Sequence, residues 1–453
     1  MRFRRMHKLY ASLVFVLTCT SHARAQDALI PDVSPIPAPR PIRGTTSSLD
    51  VPLQGRYRLT LEDAKQRALA TSKGLGLANL GIKEKREATA AAKTDYLPKL
   101  LGNVTYLHFN TDLGVVNTIR TGQRGILPPT TQTIAVTAIN QDSSFAAITL
   151  AQPITKLIAV NAAVKIARAD EQIAAAQLAK GTQDLLSGVS QAFYGLYGAQ
   201  RIQSALQLQT AYLDQAYKAT SKPELRVASI EAKQALNQVT TQSLDIVEQL
   251  NNLVGLPAGT LLELDEPMPT EPPVHSADEA AQRALYCNPQ LVEARANAQK
   301  ADAAMQVARS EFLPDINIFG SYFNQTAAPI IQDNFGALGV SASYTFVDWG
   351  KRRHIKHQRA FTMAQAQQNI QAIVDKVVLE ARQAYVAYEQ AHEALDLANE
   401  MIDARVALEK STKEPAEVLN AKAATAKAEL EQLHADANYR VNHAKLLQVI
   451  GAN

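Results

Sequence analysis

Four short stretches of the chain alternate between apolar and polar residues, which is the pattern of β-strands with one apolar and one polar face. In the clearest stretch, Val340, Ala342, Tyr344 and Phe346 alternate with serine and threonine. The alternation predicts strands at about 99–110, 143–154, 315–324 and 339–348. A length of about ten residues suits a tilted transmembrane strand, and the edge of a soluble sheet has the same pattern. Polar loops are expected at about 111–142 and 325–337.

Helices are predicted on both sides of each strand pair. One helix leads into each pair, and a very long helix follows it, from about 156 to 220 and again from about 352 to 410. Each long helix is folded back by a turn, near 222–223 and near 413–415, into a second helix. A straight helix over 156–220 measures roughly 100 Å. Apolar residues at three- and four-residue steps predict a coiled-coil seam made of Leu178, Leu185, Val189, Ala192, Phe193, Leu196 and Ala199.

The chain consists of two similar halves. Residues 61–69 match residues 277–285 at an offset of 216, and the same offset carries Leu97-Pro98 onto Leu313-Pro314. Proline cannot continue a helix, so each Leu-Pro pair marks the passage from a helix to a strand. We predict a first repeat at 56–255, a linker at 256–271 and a second repeat at 272–453.

The N-terminus has the features of an export signal. A positive start precedes a short apolar run, and Ala23-Arg24-Ala25 supplies a signal-peptidase motif, so residues 1–25 are expected to be removed. Cys19 leaves a lipoprotein signal as an alternative. Residues 26–55 are proline-rich and are expected to form an extended N-terminal segment.

Charge and cysteine content narrow the function classes. Five of the 46 Lys and Arg residues lie in residues 1–25, so the remaining chain holds 41 basic and 43 acidic residues and has no bias toward nucleic acid. Cys287 is then the only cysteine, which excludes an intrachain disulfide, and we expect a small buried thiol. No later stretch reaches 18 uninterrupted apolar residues, so the sequence predicts no transmembrane helix.

Four strands are too few to seal themselves in a membrane. Unpaired backbone groups in lipid cost several kcal/mol each, and the smallest single-chain bacterial barrels have eight strands. If these strands enter a membrane, several copies must therefore share one barrel.

The junctions between helices and strands resemble those of the TolC-like outer-membrane efflux and secretion factors. This family places an aromatic-apolar-Asp-x-Gly turn after a strand, and Phe346 to Gly350 fit that pattern. We expect Asp348 to cap the following helix and Gly350 to ease the turn. The junction residues that carry the resemblance are Leu97, Pro98, Gln152, Pro153, Leu313, Pro314, Asp348, Trp349 and Gly350.

The resemblance implies a fold and an assembly. The fold is a mixed α/β membrane protein, in which three chains form a 12-stranded outer-membrane β-barrel continued by a helical coiled-coil tunnel in the periplasm of a Gram-negative bacterium. The implied function is a passive exit duct of a tripartite efflux pump or a type I secretion system. The implied partners are two further copies of the chain, a periplasmic adaptor (membrane fusion) protein, an inner-membrane transporter and outer-membrane lipid.

The helix tips depart from the family pattern, because neither tip contains the glycine that is frequent there. Glu414 and Glu417 are the acidic candidates for a periplasmic gate that tunes cation passage. The candidates for ion pairs at this gate are Lys222, Glu224, Arg226, Lys410 and Lys413. The alternative is that these charges belong to solvated helix ends.

The sequence contains no pattern typical of an enzyme. HExxH, Walker A, GxSxG and CxxC patterns are absent, so we expect no catalytic residue, cofactor or metal site. His354 and His357 follow Arg352-Arg353 and predict an exposed basic helix start. The alternative to a channel is a periplasmic coiled-coil scaffold or adaptor that never enters the membrane, and the paired strands favour the channel.

Overall fold

The structure is a computed structural model that describes residues 56–111, 113–120, 131–265, 274–329, 331–411 and 415–452. The chain divides into the units Met1–Tyr57 and Arg58–Asn453, and nearly all described residues belong to the second. The predicted signal peptide at 1–25, the segment at 26–55 and Cys19 lie outside the described residues, as does the linker beyond 265.

Strands and helices follow one another along the chain as two similar series. The strands are β1 (Arg56–Leu59), β2 (Lys99–His108), β3 (Leu113–Arg120), β4 (Thr131–Ile139), β5 (Asp142–Pro153), β6 (Leu261–Leu264), β7 (Asp315–Gln325) and β8 (Asn334–Ser343). The helices are α1 (Leu61–Thr71), α2 (Lys73–Thr94), α3 (Lys156–Thr220), α4 (Pro223–Val254), α5 (Ala277–Cys287), α6 (Pro289–Ser310), α7 (Lys351–Ser411) and α8 (Pro415–Val449).

Four strands form one antiparallel sheet in the order β2-β5-β7-β8. Leu150 on β5 lies opposite Leu100 on β2 and opposite Gly320 on β7, and Gly320 lies opposite Leu338 on β8. Residues that lie opposite one another point to the same face of a sheet. The register therefore places alternate residues of all four strands, including these, on one face of the sheet and the residues between them on the other. It also joins β5, from the first half of the chain, to β7, from the second.

The last strand of this sheet lies about five residues earlier than the sequence predicted. The alternation predicted a strand at 339–348, whereas β8 ends at Ser343, opposite Asp315. Asp315 directly follows Pro314, which has no N–H to donate to a ladder. The neighbouring strand therefore offers no partner to Tyr344 or to the residues after it.

The prediction of a loop at about 111–142 was wrong for most of its length. β3 and β4 lie there and pair with each other as an antiparallel hairpin. Their sequences contain many threonines among valines and isoleucines. Threonine is β-branched and fits a strand, so the threonine content that suggested a loop is equally consistent with a sheet.

The helix that was predicted to lead into each strand pair is divided in two by a capping residue. Ser72 ends α1 and caps α2 by accepting a hydrogen bond from the backbone N–H of Leu75 at 3.3 Å. Asn288 stands between α5 and α6 in the same way, accepts from the N–H of Gln290 at 2.8 Å, and is followed by proline at the first helical position. Caps of this kind satisfy N–H groups that a helix start leaves without partners.

The long helix α3 spans 65 residues, which corresponds to about 100 Å. It ends at Ser221, which adopts the left-handed conformation, and Pro223 starts α4. The predicted seam is buried in its second part, where Val189, Phe193 and Leu196 are fully enclosed. α3 packs against α2, α4, α6 and α8, and α7 packs against α5, α6 and α8.

The prediction that Cys287 is buried was wrong, because its side chain is exposed. Ala280, Ala281 and Ala284 form the buried stripe of α5. Cys287 is the last residue of that helix, beyond the stripe, and the chain turns at Asn288. Position in the helix therefore outweighs the usual preference of cysteine for the core.

Candidate functional site

One face of the four-stranded sheet carries large, exposed apolar side chains along its middle, while its far end carries the polar pairs His108–Asp142 and Asn324–Asn334. Leu338, at the centre of β8, is 91% exposed, and Leu100 on the opposite edge is 71% exposed. We call this surface the apolar face. Its exposed large side chains are Leu100, Val104, Tyr106, Ile148, Leu150, Ile318, Tyr322, Leu338 and Val340. An apolar surface of this extent is unusual on a soluble protein and marks contact with a membrane or a partner.

The opposite face of the same sheet carries mostly small and polar side chains, and we call it the polar face. The hydroxyl groups of Thr149 and Ser321 are hydrogen-bonded there at 2.8 Å. Further members are Asn103, Thr105, Asn317, Ser341 and Ser343.

Large apolar side chains interrupt the polar face: Leu101 and Leu107 on β2 are exposed, and Phe319 on β7 lies opposite Gly339. Three further phenylalanines form a cluster near one end. The rings of Phe323 and Phe335 stack at 5.0 Å between centroids, and Phe145 lies 5.5 Å from Phe323. The sequence analysis did not identify this cluster, because the rings meet only once the strand register is known.

The sheet has two open edges. In the described part of the chain, β2 pairs only with β5, and β8 pairs only with β7. Their outer N–H and C=O groups are therefore available to another strand.

The two Leu-Pro junctions have the same local geometry. The N–H of Leu97 donates to the carbonyl of Thr94, and the N–H of Leu313 donates to the carbonyl of Ser310, both at 3.0 Å. Pro98 and Pro314 follow directly and precede the strands. At the far end of β5, Gln152 donates to the carbonyl of Tyr96 at 3.4 Å, and Pro153 is the last strand residue. The bond between Gln152 and Tyr96 places the C-terminal end of α2 beside the end of β5.

Asp348 organises the turn between β8 and α7. Its carboxylate accepts hydrogen bonds from the N–H of Gly350 at 3.0 Å and from the N–H of Arg352 at 3.1 Å. Arg352 Nε also donates to it at 2.7 Å. The Arg352 side chain, with help from these backbone donors, lowers the pKa of Asp348 to about 2. Trp349 follows with a φ of 55° and is 94% exposed, and Gly350 has a φ of 87°.

We expect Asp348→Asn to remove an acid-sensitive contribution to stability. The folded pKa of about 2 lies below the unfolded value of 3.8, so the contribution is fully present above the unfolded value and is lost as the pH falls toward about 2. The melting temperature of the variant should lie below that of the wild type at neutral pH, and the gap should shrink below about pH 4. Asp375→Asn, an exposed residue of α7, is the matched control. A gap that is independent of pH would contradict the assignment.

The structure describes only some of the predicted gate residues. Lys222, Glu224 and Arg226 are exposed at the turn between α3 and α4, and Lys410 is exposed near the end of α7. Within the described residues no ion pair joins these side chains to one another, and the Arg226 guanidinium lies 5.6 Å from the ring centroid of Tyr217. The residues outside the description are Lys413 and Glu414, together with the side chain of Glu417.

A charged cluster just before this turn was not predicted. Asp214 on α3 accepts hydrogen bonds from Ser229 and from Lys233, the latter at 2.8 Å, both on α4. The Lys233 hydrogen bond, followed by that of Ser229, lowers the pKa of Asp214. Only the folding back of α4 onto α3 brings these residues together, so their spacing in the sequence gives no signal.

Comparison with known protein families gives a match for the second half of the chain. Residues 280–452 match the family model described as outer membrane efflux protein. This part of the chain is therefore similar to outer membrane efflux proteins. The TolC-like resemblance predicted from the sequence is thereby confirmed.

Solved outer-membrane proteins share the fold over most of this chain. The outer-membrane channel OprN aligns with a TM-score of 0.70 at 14% identity, over 87% of this chain and 90% of OprN. The open state of the Neisseria gonorrhoeae MtrE channel aligns with a TM-score of 0.64 at 16% identity, over 86% and 88% of the two chains. VceC from Vibrio cholerae gives 0.64 at 14% identity, over 86% and 96%. No curated protein sequence matches the chain significantly.

None of the described helices combines the length and the apolar character needed to cross a bilayer.

Proposed function

We propose that this chain forms a passive exit duct in the outer membrane of a Gram-negative bacterium. The observation that carries the proposal is the four-stranded sheet, which has one exposed apolar face, one largely polar face and two open edges. Lipid would cover the apolar face, while the polar face would line a water-filled lumen. The similarity to outer membrane efflux proteins and the channels that share the fold support this interpretation.

The proposed assembly is a homotrimer with a 12-stranded barrel. An open sheet edge is not tolerated in lipid, so β8 of one copy must pair with β2 of another until the ring closes. The four strands have 10 to 12 residues each, which suits a tilted transmembrane strand. The number three comes from the TolC-like resemblance.

The long helices would form the wall of a periplasmic tunnel below the barrel. α3 and α4 form one hairpin, α7 and α8 form another, and α3 packs against α8. Three copies would therefore supply a ring of twelve helices. The far end would dock onto a periplasmic adaptor and an inner-membrane transporter of an efflux pump or type I secretion system, and the transporter would supply the energy.

The two-repeat division at 56–255 and 272–453 belongs to the proposal. The division is supported by the order of elements, since each half contains a divided helix, two strands of the four-stranded sheet and a helical hairpin.

We further propose that the molecule is not an enzyme, because its features are those of a duct rather than of a catalytic site.

The charged helix tips are proposed to gate the tunnel. Glu414→Lys combined with Glu417→Lys should lower the preference for cations over anions in planar-bilayer recordings, since acidic rings favour cations. Glu429→Lys combined with Glu431→Lys, at exposed sites further along α8, is the matched control. If the tip variant keeps wild-type selectivity, neither residue belongs to the gate.

Expression of the full sequence, with its predicted export signal, followed by fractionation and purification of the processed protein, tests the proposal as a whole. The duct should fractionate with the outer membrane, require detergent, have the mass of a trimer and conduct ions when added to planar bilayers. The second candidate, a periplasmic coiled-coil scaffold, is consistent with the helical hairpins. The scaffold predicts a water-soluble protein that is found in the periplasmic fraction and does not conduct ions. That result would contradict the duct and favour the scaffold.

A further inference from the structure

The turn that leads from β8 into α7 has an apolar tip. Phe346 is 88% exposed, Val347 is 65% exposed and Trp349 is 94% exposed. These three apolar side chains, which lie on either side of Asp348, leave most of their surface to the surroundings. They continue the apolar face of the sheet, where Val340 on β8 is 69% exposed.

Trp349 is held in a backbone conformation that tryptophan rarely adopts. Its φ of 55° lies in the left-handed region, which is unfavourable for a bulky residue and natural for glycine or asparagine. Asp348 maintains this conformation through its hydrogen bonds to Gly350 and Arg352. A tryptophan at a site suited to glycine indicates a role for the exposed ring, because the local conformational cost is not recovered by packing.

Basic residues follow this tip directly. Lys351, Arg353 and Arg359 are exposed in the first turns of α7, and within the described residues none of them forms an ion pair. The first turn contains no acidic residue, and no Asp or Glu occurs between Asp348 and Asp375. The positive end of the helix dipole disfavours cations at this location. Asp348 supplies one negative charge at this helix start and is paired with Arg352. The exposed cations Lys351, Arg353 and Arg359 have no acidic partner of their own among the described residues, so they are available to an external anion.

The equivalent junction of the first half lacks this pattern. Between Pro153 and Lys165 the only basic residue is Lys156. The combination of apolar tip and basic helix start is thus a property of the second junction and not of every passage from strand to helix in this fold.

We propose that this junction binds anionic phospholipid headgroups at the periplasmic surface of the outer membrane. The inference rests on the proposed function, which places the strands in lipid and the helices in the periplasm, so that the junction lies at the boundary. Phe346, Val347 and Trp349 insert into the part of the acyl chains next to the headgroups. Trp349 then lies at the membrane–water interface, where tryptophan is enriched. Lys351, Arg353 and Arg359, on the periplasmic side of these apolar residues, contact the phosphate groups of the lipids.

Trp349 is the only tryptophan in the chain, so its fluorescence reports this site alone. The full mature chain is reconstituted into phosphatidylcholine vesicles that contain either brominated phosphatidylglycerol or brominated phosphatidylcholine at equal fraction. We expect blue-shifted emission, quenching by bromine on the upper acyl chain, and stronger quenching by the brominated phosphatidylglycerol.

The triple variant Lys351→Gln, Arg353→Gln, Arg359→Gln separates the two parts of the site. It should keep the quenching of Trp349 and lower the preference for phosphatidylglycerol at least about fivefold, the effect expected for a single cation near an anionic surface. The control variant Lys180→Gln, Lys427→Gln, Lys445→Gln removes the same charge from exposed positions on α3 and α8 and should keep the preference.

Conductance of the same vesicles distinguishes the possible failures. A protein that neither inserts nor conducts contradicts the proposed function. A conducting protein whose Trp349 is not quenched, or is quenched equally by both lipids, overturns the lipid site. Loss of preference in the control variant also overturns it, because the selectivity would then follow net charge.

Discussion

Leu338→Arg is expected to prevent stable insertion of the protein into the outer membrane. Leu338 lies at the centre of β8 on the apolar face, is 91% exposed, and contacts the Gly320 position on the neighbouring strand. An arginine on the lipid face near the bilayer midplane costs about 2–4 kcal/mol. Because the proposed trimer repeats the substitution in every copy, the total cost is a large fraction of typical protein stability. The measurement is the amount of heat-resistant trimer in the outer-membrane fraction.

Ala337→Arg is the matched control for this prediction. Ala337 is the preceding residue of the same strand, is also exposed, and lies on the polar face opposite Ser321. The same side chain should be tolerated there, and it should shift the ion selectivity of the channel toward anions. Equal loss of trimer in the two variants would mean that the apolar face does not contact lipid.

Gly198→Ala is expected to weaken the packing of α3 against α8. A Cβ atom at this position would lie 2.6 Å from the Cβ of Ala437, a distance that real Cβ atoms do not adopt. The two helices must separate locally, and overpacking of this kind costs about 1–3 kcal/mol, of which the higher helix propensity of alanine offsets about 1 kcal/mol. The expected result is a melting temperature of the trimer in detergent below that of the Gly188→Ala variant, measured by its dissociation on a gel after heating.

Gly188→Ala makes the same substitution in the same helix without the clash. Apart from its own turn of the helix, no described part of the chain comes within 4 Å of a Cβ placed there. Alanine is favoured over glycine in a helix by about 1 kcal/mol, so this variant should melt at the wild-type temperature or above it. If both variants melt alike, the close approach of α3 and α8 is not a determinant of stability.

The alternation of side chains predicts the sheet well where every second residue is distinctly apolar. β2 and β5 begin and end within about two residues of the predicted strands, because residues such as Val104 and Ile148 alternate with small or polar neighbours. The alternation near Val340 continues past Ser343, yet the strand does not, because Pro314 removes the pairing partner. Side-chain pattern predicts the faces of a strand, while backbone pairing determines where it ends.

Sequence spacing gives much less information about contacts between distant segments. The hydrogen bond between Asp214 and Lys233 and the stacking of Phe323 on Phe335 depend on how the chain folds back. Cys287 was misplaced for a related reason, since its exposure depends on where α5 ends. The gate candidates Lys222 and Glu224 were selected by their position at the turn between α3 and α4. Their contact with the charged residues at the turn between α7 and α8 remains a prediction.

The strand order has a consequence for the symmetry of the proposed ring. Within one copy, β5 of the first half pairs with β7 of the second half. Joining β8 to β2 of the next copy again pairs a second-half strand with a first-half strand, and the up-and-down alternation is preserved. A ring of three identical chains would therefore have an approximate sixfold axis in its backbone. The side chains would obey only the threefold axis, so the lumen would present two alternating kinds of wall.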